Sequence, residues 1–370
     1  MGMTSALHRP RHPEAGTSLV ELLAATALGL VVIGTAMTTF KDALGMSNVA
    51  SNLSDASQNL RGGTNLLVRD LTEAGRGIPT GGIPIPNGPG TGPINRPSPP
   101  GFAYTFDNVG ATTLTAVVTG AAKGPTIDGR PTDMVTLLTI DPVLDAALNG
   151  PLQVQPAATP GAVPKLAADG SSLTVTANEQ TWITGDPANG RAPVNKGDLL
   201  MFTDTNGNVA IQTVTRIDPF TVYFDSNADD FFSFNQRNAT AGSITQILGD
   251  ALTVQRVTMY TYYVDPGVPP NAVPRLMRQY NDSTPQALAG VVEDLELSYD
   301  LVDGSHNPTA QRELPYTSNG ATYSANQIRK ANLHVGVRSE EMSVRVHDYL
   351  RTHLSTVVSL RNLAFVDRYR

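Results

Sequence analysis

Between Leu22 and Phe40 the chain reads LLAATALGLVVIGTAMTTF, nineteen residues without a charge. Carried back through Leu19 and Val20, the run is interrupted only by Glu21. As an α-helix rising about 1.5 Å per residue it spans about 30 Å, the thickness of a bilayer's hydrocarbon core. No second run of this kind occurs in the sequence, which excludes a polytopic membrane protein. Arg9 and Arg11 precede the run, with His8 and His12, and Lys41 and Asp42 follow it. The basic flank predicts a cytoplasmic N-terminus, with everything beyond Lys41 on the far side.

Two plain readings fit an apolar run near an N-terminus. One is a secretory signal peptide cut near Gly34-Thr35-Ala36, and the other is a simple single-pass anchor. Both leave Glu21 unexplained, and the helical pattern continues past Phe40 instead of stopping at a turn. Composition narrows the rest of the chain. Charged residues make up 16%, too few for a coiled-coil rod, and 40% hydrophobic content with a net charge of −7 argues against disorder. The absence of Cys excludes disulfides, thiol catalysis and zinc–thiolate or iron–sulfur sites. A pI near 5.4 gives no footprint for nucleic-acid binding.

The residues Gly16-Thr17-Ser18-Leu19-Val20-Glu21, after a short basic leader and before the apolar run, resemble the class III signal of type IV pilins and pseudopilins. The resemblance implies that a prepilin peptidase cuts after Gly16 and methylates the new N-terminus at Thr17, where the family usually has Phe. It also implies that Glu21, at the fifth mature position, guides assembly. The physics agrees with that role. A free α-amine at Thr17 is charged at neutral pH, and a carboxylate in hydrocarbon costs several kcal/mol unless paired. The α-amine of a neighbouring subunit is the expected partner of Glu21.

No Pro occurs between Thr17 and Ile78. Leu53, Ala56, Leu60, Leu67, Leu71 and Ala74 keep helical spacing and predict one apolar stripe. Gly45 and the Gly62-Gly63 pair are expected weak points. The chain therefore divides into a leader (1–16), a membrane helix (17–40), an amphipathic continuation (41–75), a Pro/Gly-rich segment (76–101) and a β-rich head (102–370). The segment 76–101 is expected to be a surface loop. Its GPGTG piece lacks the Lys-Ser/Thr of a phosphate loop.

Beyond residue 101, strand-like runs occur at 113–118, 133–140, 172–177, 198–203, 209–217, 221–224, 252–264, 295–301 and 332–338. A short helix is expected near 141–148. The fold class expected is α+β, a long N-terminal helix packed on an antiparallel β-rich head. Asn65-Leu66-Leu67-Val68-Arg69-Asp70-Leu71 through Ala74-Gly75 (65–75), Lys196-Gly197-Asp198-Leu199-Leu200, the run 256–264, the run 291–300 and Leu360-Arg361-Asn362-Leu363 are together similar to PilW-like minor pilins.

Other candidate chemistry is weaker. Asp204, Asn206 and Asn208 have the opening spacing of a calcium loop, but Val209 and Thr215 stand where an EF-hand needs Gly and Glu. Asn206-Gly207 between strand-like runs predicts a hairpin turn instead. Asp225, Asp229 and Asp230 beside Phe231, Phe232 and Phe234 suggest a solvated loop over tucked aromatics, or an adhesive loop. His334, His347 and His353 lack metal-ligand spacing, and no hydrolase motif is present.

The resemblance thus implies a minor pilin, not an enzyme and without cofactor. Its partners would be the prepilin peptidase, other pilins, the inner-membrane assembly platform and membrane lipid. It would begin in the inner membrane with a periplasmic head and end in a cell-surface pilus. A type II secretion pseudopilin, a membrane-anchored adhesin and a tethered enzyme are the rivals.

Overall fold

A computed structural model describes residues 18–106, 112–141, 151–156, 159, 161, 164–189, 192–268, 272–340, 342 and 347–364. The expected helix near 141–148 lies outside the described residues except for Asp141, as do Gly16 and Thr17.

One helix, α1, runs unbroken from Leu19 to Glu73, about 82 Å at the standard rise. No residue from 19 to 55 is buried, whereas Ala56, Leu60, Gly63, Thr64, Leu67, Asp70 and Leu71 are. The stripe read from the sequence therefore begins to bury at Ala56, and Leu53 remains 40% exposed. The three glycines do not interrupt the helix. Gly63 instead brings it close to the sheet, because a Cβ there would stand 2.9 Å from the Cβ of Ala289.

The head is antiparallel β structure around two cores. We number the strands of its eight-stranded and three-stranded sheets. The eight-stranded sheet comprises β1 (Val117–Val118), β2 (Val135–Ile140), β3 (Leu152–Val154), β4 (Leu199–Asp204), β5 (Val209–Thr213), β6 (Leu252–Asp265), β7 (Arg275–Tyr280) and β8 (Gln286–Gly290). The three-stranded sheet comprises β9 (Val292–Leu301), β10 (Ile328–Arg338) and β11 (Arg351–Ser359). The 14-residue β6 is central: one edge pairs with β4 and then β7, the other with β3 and then β2.

Alternation along β4 separates the two cores. Leu199 and Met201 face the main core with α1 and the three-stranded sheet. Leu200 and Phe202 face a second core with Trp182, Phe224 and Leu173, under a small sheet built from Lys165–Leu166, Ser172–Thr174, Arg216–Asp218 and Thr221–Tyr223. Burial on both faces is why 199–204 reads as a nearly continuous apolar run.

The Pro/Gly-rich segment departs from expectation. It holds no long element, but Ile78, Ile83, Ile85 and Ile94 are buried in the main core. Arg96 is 3% exposed; its guanidinium donates to Thr136 Oγ1, Thr119 O and Val118 O. Burial lowers the Arg96 pKa to about 10. Four isoleucines among the prolines outweigh the turn signal, and the segment packs as part of the head.

Candidate functional site

Helix α1 has two halves with opposite surroundings. In the outer half the side chains of Leu22, Leu23, Leu28, Leu30, Val31 and Phe40 are each at least 60% exposed. This is one N-terminal helix long and apolar enough to cross a membrane. Its hydroxyls suit an apolar medium: Thr26, Thr35, Thr38 and Thr39 donate to carbonyls of Leu23, Val32 and Thr35 at 2.8–2.9 Å. Hydroxyls returned to the helix backbone present no unmet donor to hydrocarbon.

Glu21 is the sole ionisable residue between 19 and 40. Its Oε2 accepts from the backbone N–H of Ser18 at 3.3 Å, one arm of a capping box that also suits the positive end of the helix dipole. One carboxylate oxygen is thus engaged at the tip of the helix.

In the inner half, Asp70 fixes the helix to the head. Its carboxylate is 6% exposed and accepts from the Tyr262 hydroxyl at 2.5 Å and from Arg278 Nε at 2.8 Å. Burial raises the Tyr262 pKa, and the Asp70 carboxylate raises it further, so the hydroxyl stays a donor. Burial works against the Arg278 charge, yet Asp70 and its neighbours push the pKa up on balance. The Arg278 guanidinium lies 3.7 Å over the Tyr260 ring, a stacked geometry that Lys would not reproduce.

The end of the helix is closed from the far end of the chain. Asn362 Nδ2, at the start of α3 (Arg361–Ala364; α2 is Gln180–Thr184), donates to the carbonyls of Thr72, Glu73 and Ala74 at 3.2–3.3 Å. Gly75 has φ +83°, and a Cβ there would meet Leu363 at 2.8 Å. Three of the segments quoted above for the resemblance thus meet around one helix end: 65–75, 256–264 through Tyr260 and Tyr262, and 360–363. Asp198 belongs to a fourth. It is 2% exposed and pairs with Arg256 Nη1 at 3.4 Å, while Arg256 also holds Asp141.

The remaining candidates are structural in their geometry. Asp204 Oδ1 accepts from the N–H of Asn206 and Asn208, and Oδ2 from Asn208 Nδ2. This is the β4–β5 hairpin turn, with Gly207 at φ +84°. Phe232 and Phe234 are fully buried, and Asp230 accepts from the N–H of Phe234 and Asn235. Phe232 and Phe234 therefore point inward, and Phe231 is half-buried against the main core. His334 and His353 come together across β10 and β11, ring centroids 5.4 Å apart, and His334 Nδ1 pairs with Ser355. Among the described residues no group of three or more His, Cys, Asp or Glu could hold a metal ion.

The sequence reading does not anticipate Asp70, Arg278 or Asn362 as positioning residues. Asp70 is a charge on the apolar face of an amphipathic helix, one position before Leu71 in the stripe, and that placement is the available signal. No family model, curated protein or solved structure matches the chain.

Proposed function

We propose that this chain is a filament subunit of the type IV pilin kind, matured by cleavage after Gly16 and closest in character to the PilW-like minor pilins. The observation that carries the reading is the division of α1. An apolar half with one carboxylate near its tip stands free of the protein, and a polar half is locked into a β-rich head by Asp70 and Asn362. A signal peptide has no need of rigid continuity with the domain behind it.

In this role the work is assembly. The outer half resides in the inner membrane and then exchanges lipid for other apolar helices of the filament. The Thr17 α-amine of a neighbouring subunit pairs with Glu21, and the pairing sets axial register. The engaged Glu21 Oε2 leaves the second oxygen for that amine.

Glu21→Ala tests the proposal. Cleavage and membrane insertion should be unchanged, since removing a carboxylate lowers the cost of placing the helix in lipid. Filament incorporation should fall, because a buried amine left without its partner costs about 3–5 kcal/mol. Immunoblots of membrane and sheared-filament fractions read the outcome, and equal amounts of variant and unmodified chain in the filament fraction would refute the role of Glu21.

A further inference from the structure

Strand pairing lays a row of polar residues across the outer face of the three-stranded sheet, away from the main core. Asp294 of β9 is paired with Gly336 of β10, and Gly336 with His353 of β11. His334 lies two residues along on the same face, opposite Ser355. Gly336 carries no side chain, so the row is sunken at its middle. The hairpin Thr126–Pro131 stands over it with Ile127, Asp128 and Arg130. The result is a groove of about 360 Å³.

The carboxylates of this groove are not alike. Glu293 accepts from Arg338 Nε at 2.6 Å and from Arg351 Nε at 2.9 Å, and Asp128 pairs with Arg351 Nη2 at 3.2 Å. Asp294 is 9% exposed and has no such donor among the described residues. Its Oδ1 is sealed without a hydrogen-bond partner. Its Oδ2 has only His334 Nε2 at 3.8 Å and Arg130 Nη1 at 4.0 Å, both beyond hydrogen-bond reach. The Arg130 side chain is 77% exposed, so its attraction is screened by water. Burial first, and then the Glu296 carboxylate, raise the Asp294 pKa, and His334 and Arg130 offset this only in part. A buried carboxylate without donors costs free energy until something supplies them.

We propose that this groove binds a primary ammonium carried on a short aliphatic stem, with Asp294 as its anchor. The site lies in the head and is independent of the assembly role proposed above. What Asp294 lacks is positive charge together with N–H donors. A metal ion does not meet that need, because no three ligands converge among the described residues. A guanidinium prefers both oxygens of a carboxylate, and here Oδ1 is sealed. An ammonium needs one oxygen and has two further donors to place. His334 Nδ1 pairs with Ser355 Oγ at 2.8 Å, and in the tautomer that donates there, Nε2 is an acceptor. The His353 ring, 5.4 Å from that of His334 between centroids, supplies the third. Ile127 and Val337 also line the groove and suit an aliphatic stem.

Isothermal titration calorimetry of the full chain in detergent, at constant ionic strength, tests this. The probes are n-butylammonium, standing for a free amine, and Nα-acetyl-lysine amide, standing for a protein lysine. Binding of either supports the proposal, and the tighter of the two names the source. Tetramethylammonium, a cation without donors, and n-butanol, a donor without charge, should not bind. Asp294→Asn should weaken the amine by about tenfold or more. Without amine it should melt no lower than the unmodified chain, because a buried carboxylate lacking donors adds nothing to stability. Arg130→Ala removes a competing cation and should tighten binding. No saturable heat with either amine overturns the proposal, as does equal affinity for tetramethylammonium or an unchanged affinity in Asp294→Asn. A lower melting temperature of Asp294→Asn overturns it too, since the charge is then already satisfied within the chain. Weaker binding in Arg130→Ala would mark a site for anions and is equally fatal to it.

Discussion

Replacing Asp70 with Ala should loosen the joint between helix and head more than any other single change along α1. The variant leaves the Tyr262 hydroxyl, on a fully buried side chain, and the partly buried Arg278 guanidinium without their shared acceptor. Removing one partner of a buried ion pair costs about 3–5 kcal/mol. At roughly 2 °C per kcal/mol for a large domain, melting should fall by about 6–10 °C. The assay is thermal melting of the full chain in detergent, followed by the β signal in circular dichroism. Asp70→Asn keeps the shape and one acceptor, so it should lose less. The double variant Asp70→Ala with Arg278→Met should melt closer to the unmodified chain than Asp70→Ala does, because the unpaired cation is gone. If Asp70→Ala melts within about 2 °C of the unmodified chain, Asp70 does not anchor the helix and the reasoning fails.

Two adjacent glycines should respond with opposite signs. A Cβ on Gly62 meets nothing within 4 Å, so Gly62→Ala should stabilise by about 0.5–1 kcal/mol through helix propensity. Gly63→Ala pushes against Ala289 at 2.9 Å and should destabilise by about 1–3 kcal/mol from overpacking; urea midpoints of the two variants decide, and equal shifts would refute the close approach. The Asp303 carboxylate accepts from the N–H of Ser305 and His306 and from the Tyr323 hydroxyl, and these bonds, Ser305 first, hold its pKa well below the usual carboxylate range. A depressed folded pKa contributes stability that is present above the unfolded value near 3.9 and lost as pH falls through the folded one. A carboxyl titration of Asp303 by NMR should therefore have its midpoint below about 3.9, and a midpoint at or above it would contradict the loop geometry.

What the sequence reveals of this fold is what local pattern can carry. The stripe from Ala56 to Ala74 is visible because burial follows the helical period, and the apolar run and the strands at 135–140, 199–204 and 252–265 are visible as concentrated runs of apolar and β-branched residues. Strands β7 and β8 escape that reading. Arg275 and Arg278 interrupt one, and Ala and Gly dilute the other. Strand β11 carries its signal in Thr352, Thr356, Val357 and Val358, diluted by Arg351, His353, Ser355 and Ser359. The isoleucines of 76–101 were hidden among prolines. The anchor was illegible for a different reason: Asp70 and Arg278 are 208 residues apart, and Asn362 caps a helix that ended 289 residues earlier. No local period encodes such contacts, which arise only when the sheet brings distant segments together.

The central claim concerns the first residue of the mature chain, and intact-mass and N-terminal peptide mass spectrometry of the protein from its native membrane reads it directly. The account predicts a chain beginning at Thr17, with or without one methyl group. Losing Arg9, Arg11 and Glu14 removes a net charge of +1, so −7 becomes −8. A mature chain beginning at Met37, or one that retains the leader, would contradict it.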